Sequence, residues 1–310
     1  DKTYINATYR YTHGYGVVIN PINKFTNQGQ VDFILSGLRH RSADENIKVT
    51  RPEIYYGELT HDHVVVGAKD LDEVDYDGST TTVYEGTGGI KLNLLNQILF
   101  SIKYGDLKML ISGYSNDATL LPNRQIVSRA QMALPFLTID DDPYIILTEE
   151  GKLKWVLDAY TSSNQYPYSQ SYGNINYIRN SAKVVVDAYD GNVECYIIDD
   201  TDPIIKTYDK MYPGIMKNEP LPEEISKHMK YPELLFSIQS EMLTRYHILP
   251  DDVSTFYTQQ DLWAIARYPT SKESGTLTEI EPYYNMIKLP GGIGESEELI
   301  LMRPYTPAGE

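Results

Sequence analysis

The chain has 310 residues, 41% hydrophobic and 23% charged, an ordinary globular balance that excludes an intrinsically disordered polypeptide. Its 27 Lys and Arg face 43 Asp and Glu, a formal charge of -16 that excludes a nucleic-acid backbone as partner and argues against electrostatic docking on anionic lipid. No stretch reaches the about 20 apolar residues of a membrane-spanning helix, and the single cysteine, Cys195, excludes an internal disulfide.

Residues 1–20 carry Tyr11-Thr12-His13-Gly14-Tyr15-Gly16 before Val17-Val18-Ile19, which reads as a tight turn entering a strand. His13 there is a hydrogen-bonding turn residue or a binding residue. Residues 50–67 alternate around Tyr55 and end in Val64-Val65-Val66, so a hairpin turning at His61-Asp62-His63 is expected. Two histidines at that spacing share a face if extended, but no third metal ligand is evident. Asp75-Tyr76-Asp77-Gly78 opens like a calcium loop and lacks its terminal Glu.

Two helices follow. Leu92, Leu95, Leu99 and Ile102 fall on one face of a helix ending at Tyr104-Gly105. The second has Pro122 near its start and stops before Pro135, with Ile126, Ala130 and Ala133 on one face. Arg124 and Arg129 flank that side and read as solvated or paired with carboxylates.

The centre of the chain is Trp155 to Gly191, two copies of Asp-Ala-Tyr (Asp158 to Tyr160 and Asp187 to Tyr189) around a polar loop rich in tyrosine. The flanking runs read as two hairpins, one turning at Glu149-Glu150-Gly151, the other at Asp190-Gly191. Loops held by strands commonly carry recognition, so Tyr160, Tyr166, Tyr168, Tyr177, Arg179 and Asn180 join His13 and Tyr55 as candidate binding residues. The acids Asp140, Asp142, Asp200 and Asp202 stand just before prolines, where Asp makes turns with its own backbone. The alternative is that they hold Ca²⁺ through oxygen ligands; no other cofactor is indicated. Cys195 reads as a small buried hydrophobe.

Residues 204–248 are expected to be mostly helical, with Pro222 and Pro232 opening helices, and a further short helix is expected near Phe256 to Trp263. The tail from Pro269 reads as irregular, with a strand at Leu299 to Met302. Tyrosine dominates the aromatics, 27 against 6 Phe and 2 Trp, which implies half-buried rings whose hydroxyls reach a partner or water, or rings on exposed strand faces.

The chain resembles the uncharacterised bacterial and archaeal membrane protein family 0182. The resemblance rests on Tyr11 to Val18, Arg51 to Glu58, Pro135-Phe136-Leu137, Asp142-Pro143-Tyr144, Asp158 to Thr161 and Tyr166 to Ser169. It continues through Asn176 to Ser181, Val184 to Tyr189, Asp202-Pro203-Ile204, His228, Tyr231-Pro232-Glu233, Tyr246-His247 and Phe256-Tyr257. It implies membrane helices outside this chain as its natural partners and a cell-membrane protein whose present part is soluble and extracytoplasmic. The abrupt ends, Asp1-Lys2-Thr3-Tyr4 and Pro304 to Pro307, likewise read as a piece of a longer polypeptide. The resemblance implies no activity and no catalytic set.

The expected fold is α+β: antiparallel β-hairpins forming a main sheet with several helices packed on it, in one domain over 1–310 with a β-rich middle at 135–205 and a helical part at 206–265. The function reads as a module binding an envelope component or a protein partner. The alternative is a hydrolase of an envelope polysaccharide using Asp158 and Asp187, with Glu53 and Glu58 behind them.

Overall fold

The computed structural model describes residues 3–76, 78, 80–116, 118–248, 252–270, 276–288 and 297–308; Asp77 of the calcium-like run lies outside them. The fold is α+β. By contact the chain divides into a first unit, Asp1–Asn20, Phe33–Ser162 and Asn180–His228, and a second, Pro21–Asp32, Ser163–Arg179 and Met229–Glu310.

In the first unit, Gly14–Tyr15 pairs antiparallel with Glu53–Ile54. The hairpin expected at His61 to His63 does not form, because Val64–Val66 pairs instead with Thr119–Leu121, which also takes Ile90–Lys91. All three valines are buried, and the two-residue period of a strand sends Val64 and Val66 into one apolar cluster and Val65 into another. A valine run buried on both faces needs partners on both sides, which a hairpin turn alone does not supply.

Helix α1 (Leu94–Tyr104) starts where the Asn93 side chain accepts the Asn96 N–H and stops at Gly105, whose φ of 66° suits a left-handed helix end. A single turn, α2 (Lys108–Ile111), follows. In α3 (Ile126–Ala133) the buried residues are Ile126 and Ala130, and Gln125 caps the start by accepting from Ser128 N.

Six strands make the main sheet: β1 (Thr138–Ile139), β2 (Tyr144–Leu147), β3 (Leu153–Ser163), β4 (Tyr177–Asp187), β5 (Val193–Ile197) and β6 (Met216–Lys217). Their order is β1-β3-β4-β5-β6, with β2 also on β3. Tyr144 stands opposite Val156, and Val184 opposite Cys195. Both expected turns are present. Gly151 has a φ of 78° and donates to Thr148 O at 2.9 Å; Gly191 has a φ of 70° and donates to Asp187 O at 2.9 Å. At Gly191 a Cβ would stand 2.6 Å from the Tyr56 ring, so glycine is required there for space as well as conformation. The sheet closes with a parallel pair, β5 and β6, joined across α4 (Pro203–Met211). Asp202 caps α4 ahead of Pro203, and a short α5 (Glu223–Ser226) follows β6.

The second unit holds α6 (Glu233–Tyr246), opened by Pro232, and α7 (Val253–Thr258). Its tail is more regular than expected. Trp263–Ile265 pairs with Tyr305–Pro307, and Tyr283–Ile287 pairs with Glu298–Met302. The Tyr305 hydroxyl donates to Ser240 O at 2.9 Å, tying that tail to α6.

Candidate functional site

The tyrosine loop between β3 and β4 is built on one amide. Asn176 accepts the Tyr166 N–H through Oδ1 at 3.0 Å and donates from Nδ2 to the Tyr166 carbonyl at 2.8 Å, so its side chain pairs with the chain opposite as a peptide group would. Ser169 Oγ donates to the Asn176 carbonyl at 2.7 Å, and Tyr172 and Ile175 exchange backbone hydrogen bonds at 2.8 and 3.1 Å. The Tyr166 and Tyr177 rings stack with centroids 5.4 Å apart.

At the apex of this ordered loop Tyr168 is fully exposed, with a φ of 58°. A tyrosine in the left-handed region is uncommon and carries backbone strain. Below it lies a cleft of about 410 Å³. One wall is the loop, through Tyr168, Gln170, Tyr172, Asn176 and Tyr177; the other is α6, through Ile238, Met242 and Tyr246. Those three lie four residues apart and so share one helix face. Among the described residues no charged side chain lines the cleft itself, while Glu241 and Arg245 line a smaller depression that shares Gln170, Met242 and Tyr246 with it. It presents ring faces and aliphatic surface, with the Gln170 amide and the Tyr246 hydroxyl, 3.4 Å apart, as polar points.

The other candidate binding residues are elsewhere. Tyr160 is buried in the main sheet and donates to Asp140 Oδ2 at 2.5 Å. Burial and the adjacent Asp140 carboxylate push the Tyr160 phenol well above its ordinary value. Asn180 donates to Asp158 Oδ1 at 2.5 Å, and Arg179 stands half-buried near the start of β4. Tyr55 is wholly buried and donates to Glu73 Oε2 at 2.9 Å, where Thr12 Oγ1 also donates at 2.5 Å. His13 packs its ring 5.1 Å from Tyr55, with Nε2 3.4 Å from Asp75. Of the eight candidate binding residues, Tyr168 and Tyr177 line the cleft, and Tyr166 stacks on Tyr177.

Asp158 and Asp187 are not brought together. Asp158 is buried, ion-paired with the equally buried Lys183 and bonded by Asn180. Asp187 accepts the backbone N–H groups of Tyr189 and Asp190, each at 2.8 Å, and shapes the turn. Ala188 donates to the Leu153 carbonyl, which sets Asp187 opposite Lys154, about 13 Å along β3 from Asp158 at the ordinary rise per residue. A glycosidase pair stands about 5–10 Å apart. Glu53 lies half-buried on its short strand and Glu58 is exposed.

Two of the acids before the prolines, Asp140 and Asp202, are occupied by protein donors. Asp140 accepts from Tyr160 and from Asp142 N. Asp202 accepts from Thr161 Oγ1 at 2.5 Å, Ser181 Oγ at 2.6 Å and Ile204 N at 3.0 Å. Asp142 and Asp200 are exposed. Among the described residues, no three His, Cys, Asp or Glu side chains converge as a metal set.

Both arginines beside α3 differ from expectation. Arg124 is buried and donates to three carbonyls, Tyr55 O and Thr12 O at 2.6 Å and Asp62 O at 3.3 Å; burial lowers it to about 10. Arg129 donates to Gly191 O and lies 4.5 Å over the Tyr56 ring. They lock loops by binding main chain, which sequence spacing does not reveal.

The match to the Uncharacterised protein family (UPF0182) runs over residues 1–310. The chain belongs to UPF0182. A UPF0182 protein of Caldicellulosiruptor saccharolyticus is 43% identical over 311 residues, covering 99% of this chain and 34% of the relative. One from Alkaliphilus metalliredigens is 45% identical over 313 residues, covering 99% and 32%, and one from Clostridium botulinum strain Kyoto is 43% identical over 310, covering 98% and 34%. The chain therefore spans about a third of the length of these UPF0182 relatives. No solved structure matches. No helix among the described residues is long and apolar enough to cross a membrane.

Sequence reading found the loop of this UPF0182 chain and missed its second wall. Ile238 and Met242 were legible only as part of the expected helical stretch 204–248, and Tyr246 only as part of the family resemblance. The available signal was their spacing of four residues, which extends one helix face to a tyrosine.

Proposed function

We propose that this chain is the binding module of a longer envelope protein and that the cleft between the tyrosine loop and α6 takes a neutral glycan. In this reading the rest of the polypeptide carries the membrane helices implied by the family resemblance, and the present part faces outward from the cell membrane.

The observation that carries the reading is Tyr168: a fully exposed ring, held in a left-handed backbone by an ordered loop, over a cleft whose described lining is aromatic, aliphatic and neutral polar. Folding gains nothing from exposing that ring in a strained conformation, whereas a ligand would use it as a stacking face. An uncharged lining suits a neutral molecule, and amide and hydroxyl tips suit the hydroxyl and acetamido groups of a sugar. Binding rather than hydrolysis is favoured because no carboxylate lines the cleft among the described residues.

Calorimetric titration with tri-N-acetylchitotriose tests it. Saturable binding is expected, weakened roughly fivefold in Tyr168→Ala by loss of about 1 kcal/mol of ring contact. Absence of heat with neutral glycans of several linkages, or equal affinity in Tyr168→Ala, overturns the reading.

A further inference from the structure

Helix α1 is mounted with its polar side inward. Its buried residues are Gln97 and Ser101, and the Gln97 amide donates to Leu92 O at 3.0 Å and Ser115 O at 3.3 Å. The apolar side faces out: Leu94, Leu95, Leu99 and Ile102, together with Leu107 and Ile111 around α2, are each more than half exposed. At 3.6 residues per turn, the four on α1 fall within an arc of about 140°. A surface helix of a globular protein normally turns such a stripe toward its core. Here the stripe is held outward by hydrogen bonds on the opposite side, and contiguous exposed apolar surface of this kind marks an interaction face.

The charge around it says which partner. Across Ile90–Ile111 stand three lysines, Lys91, Lys103 and Lys108, against one acid, Asp106, in a chain whose formal charge is -16. All three lysines are exposed. The whole-chain charge argues against anionic lipid only as an average; this segment has the opposite sign. The exposed stripe is aliphatic, without the Trp, Tyr or Arg anchors that enrich protein interfaces. Leucine and isoleucine on one side of a helix flanked by lysines is the pattern of a helix lying in a membrane interface.

We propose that α1 and α2 form a peripheral docking face for an anionic lipid surface. The apolar side chains enter the acyl boundary while Lys91, Lys103 and Lys108 meet the headgroups. The face shares no residue with the tyrosine-loop cleft and stands whether or not that cleft binds a glycan.

Flotation of the full 310-residue chain with vesicles of equimolar phosphatidylglycerol and phosphatidylcholine tests it. The chain is expected to float with these vesicles and to remain behind with pure phosphatidylcholine. Leu95→Gln/Ile102→Gln is expected to lower the partition on the order of a hundredfold, and Lys103→Gln/Lys108→Gln roughly thirtyfold. Both pairs are exposed, so their thermal melts should match the parent, and each pair checks the other should one fail to fold. Failure of the parent to float, equal flotation by both variants, or a stable dimer lost in Leu95→Gln/Ile102→Gln without vesicle binding overturns the proposal; the last outcome assigns the face to a second copy of the chain.

Discussion

The side chain of Asn176 and the backbone of Tyr166 exchange two hydrogen bonds, at 3.0 and 2.8 Å, across a ten-residue loop segment. One amide thus does the work of a strand pair beyond the end of the main sheet and keeps the aromatic loop in one shape. Replacing it with Ala removes both bonds, each worth about 1 kcal/mol net. Asn176→Ala should therefore speed hydrogen exchange at the Tyr166 amide roughly thirtyfold while leaving the main sheet protected. Unchanged exchange at Tyr166 would show that the loop is ordered by something else.

Lys183 and Asp158 form an ion pair in which both side chains are almost fully buried. Removing the lysine leaves a carboxylate without its counter-charge, and Lys183→Met is expected to destabilise by about 3–5 kcal/mol in urea unfolding. The double variant Asp158→Leu/Lys183→Met should recover most of that loss, because two apolar residues need no partner. A double variant as unstable as the single would assign the pair a positive contribution of its own.

The pair also shows why part of the candidate site was illegible in sequence. Asp158 looked like an available carboxylate at a strand end, but its availability depends on the register of β3 against β4, which no local pattern states. Tyr160 and Tyr55 failed as surface rings for the same reason: each meets a buried acid, Asp140 or Glu73, far away in sequence. The turns at Gly151 and Gly191 were legible because the glycine requirement is local. So was α1, whose period gave a face; the period does not say whether that face turns toward core or solvent.

Burial holds the His63 imidazole below its usual 6.5, with Asp106 and Asp62 opposing and Arg124 and Lys103 reinforcing the shift. Its ring stacks on Tyr104 at 4.0 Å. A histidine whose folded value is depressed contributes stability that is present above 6.5 and is lost as pH falls through the lower, folded value. The melting temperature should fall between about pH 8 and about pH 5, and His63→Phe should flatten that fall by keeping the stack without the titration. His40 is shifted the same way by burial, so some dependence should survive. An identical pH profile in His63→Phe would contradict the assignment.

Cys195 is buried on β5, and burial pushes its thiol up to about 12. The folded chain should resist iodoacetamide near neutral pH, while the urea-unfolded chain should be alkylated fully, as read by intact mass. Rapid labelling of the folded chain would mean that β5 opens from the sheet.

The most direct test of the cleft follows the methyl groups of its α6 wall. In NMR spectra of the methyl-labelled chain titrated with tri-N-acetylchitotriose, Ile238 and Met242 should shift saturably, and Met109, buried in a different apolar cluster, should stay fixed. Saturable shifts at Met109 with none at Ile238 and Met242, or no shift at any of the three, would contradict a glycan seated between the tyrosine loop and α6.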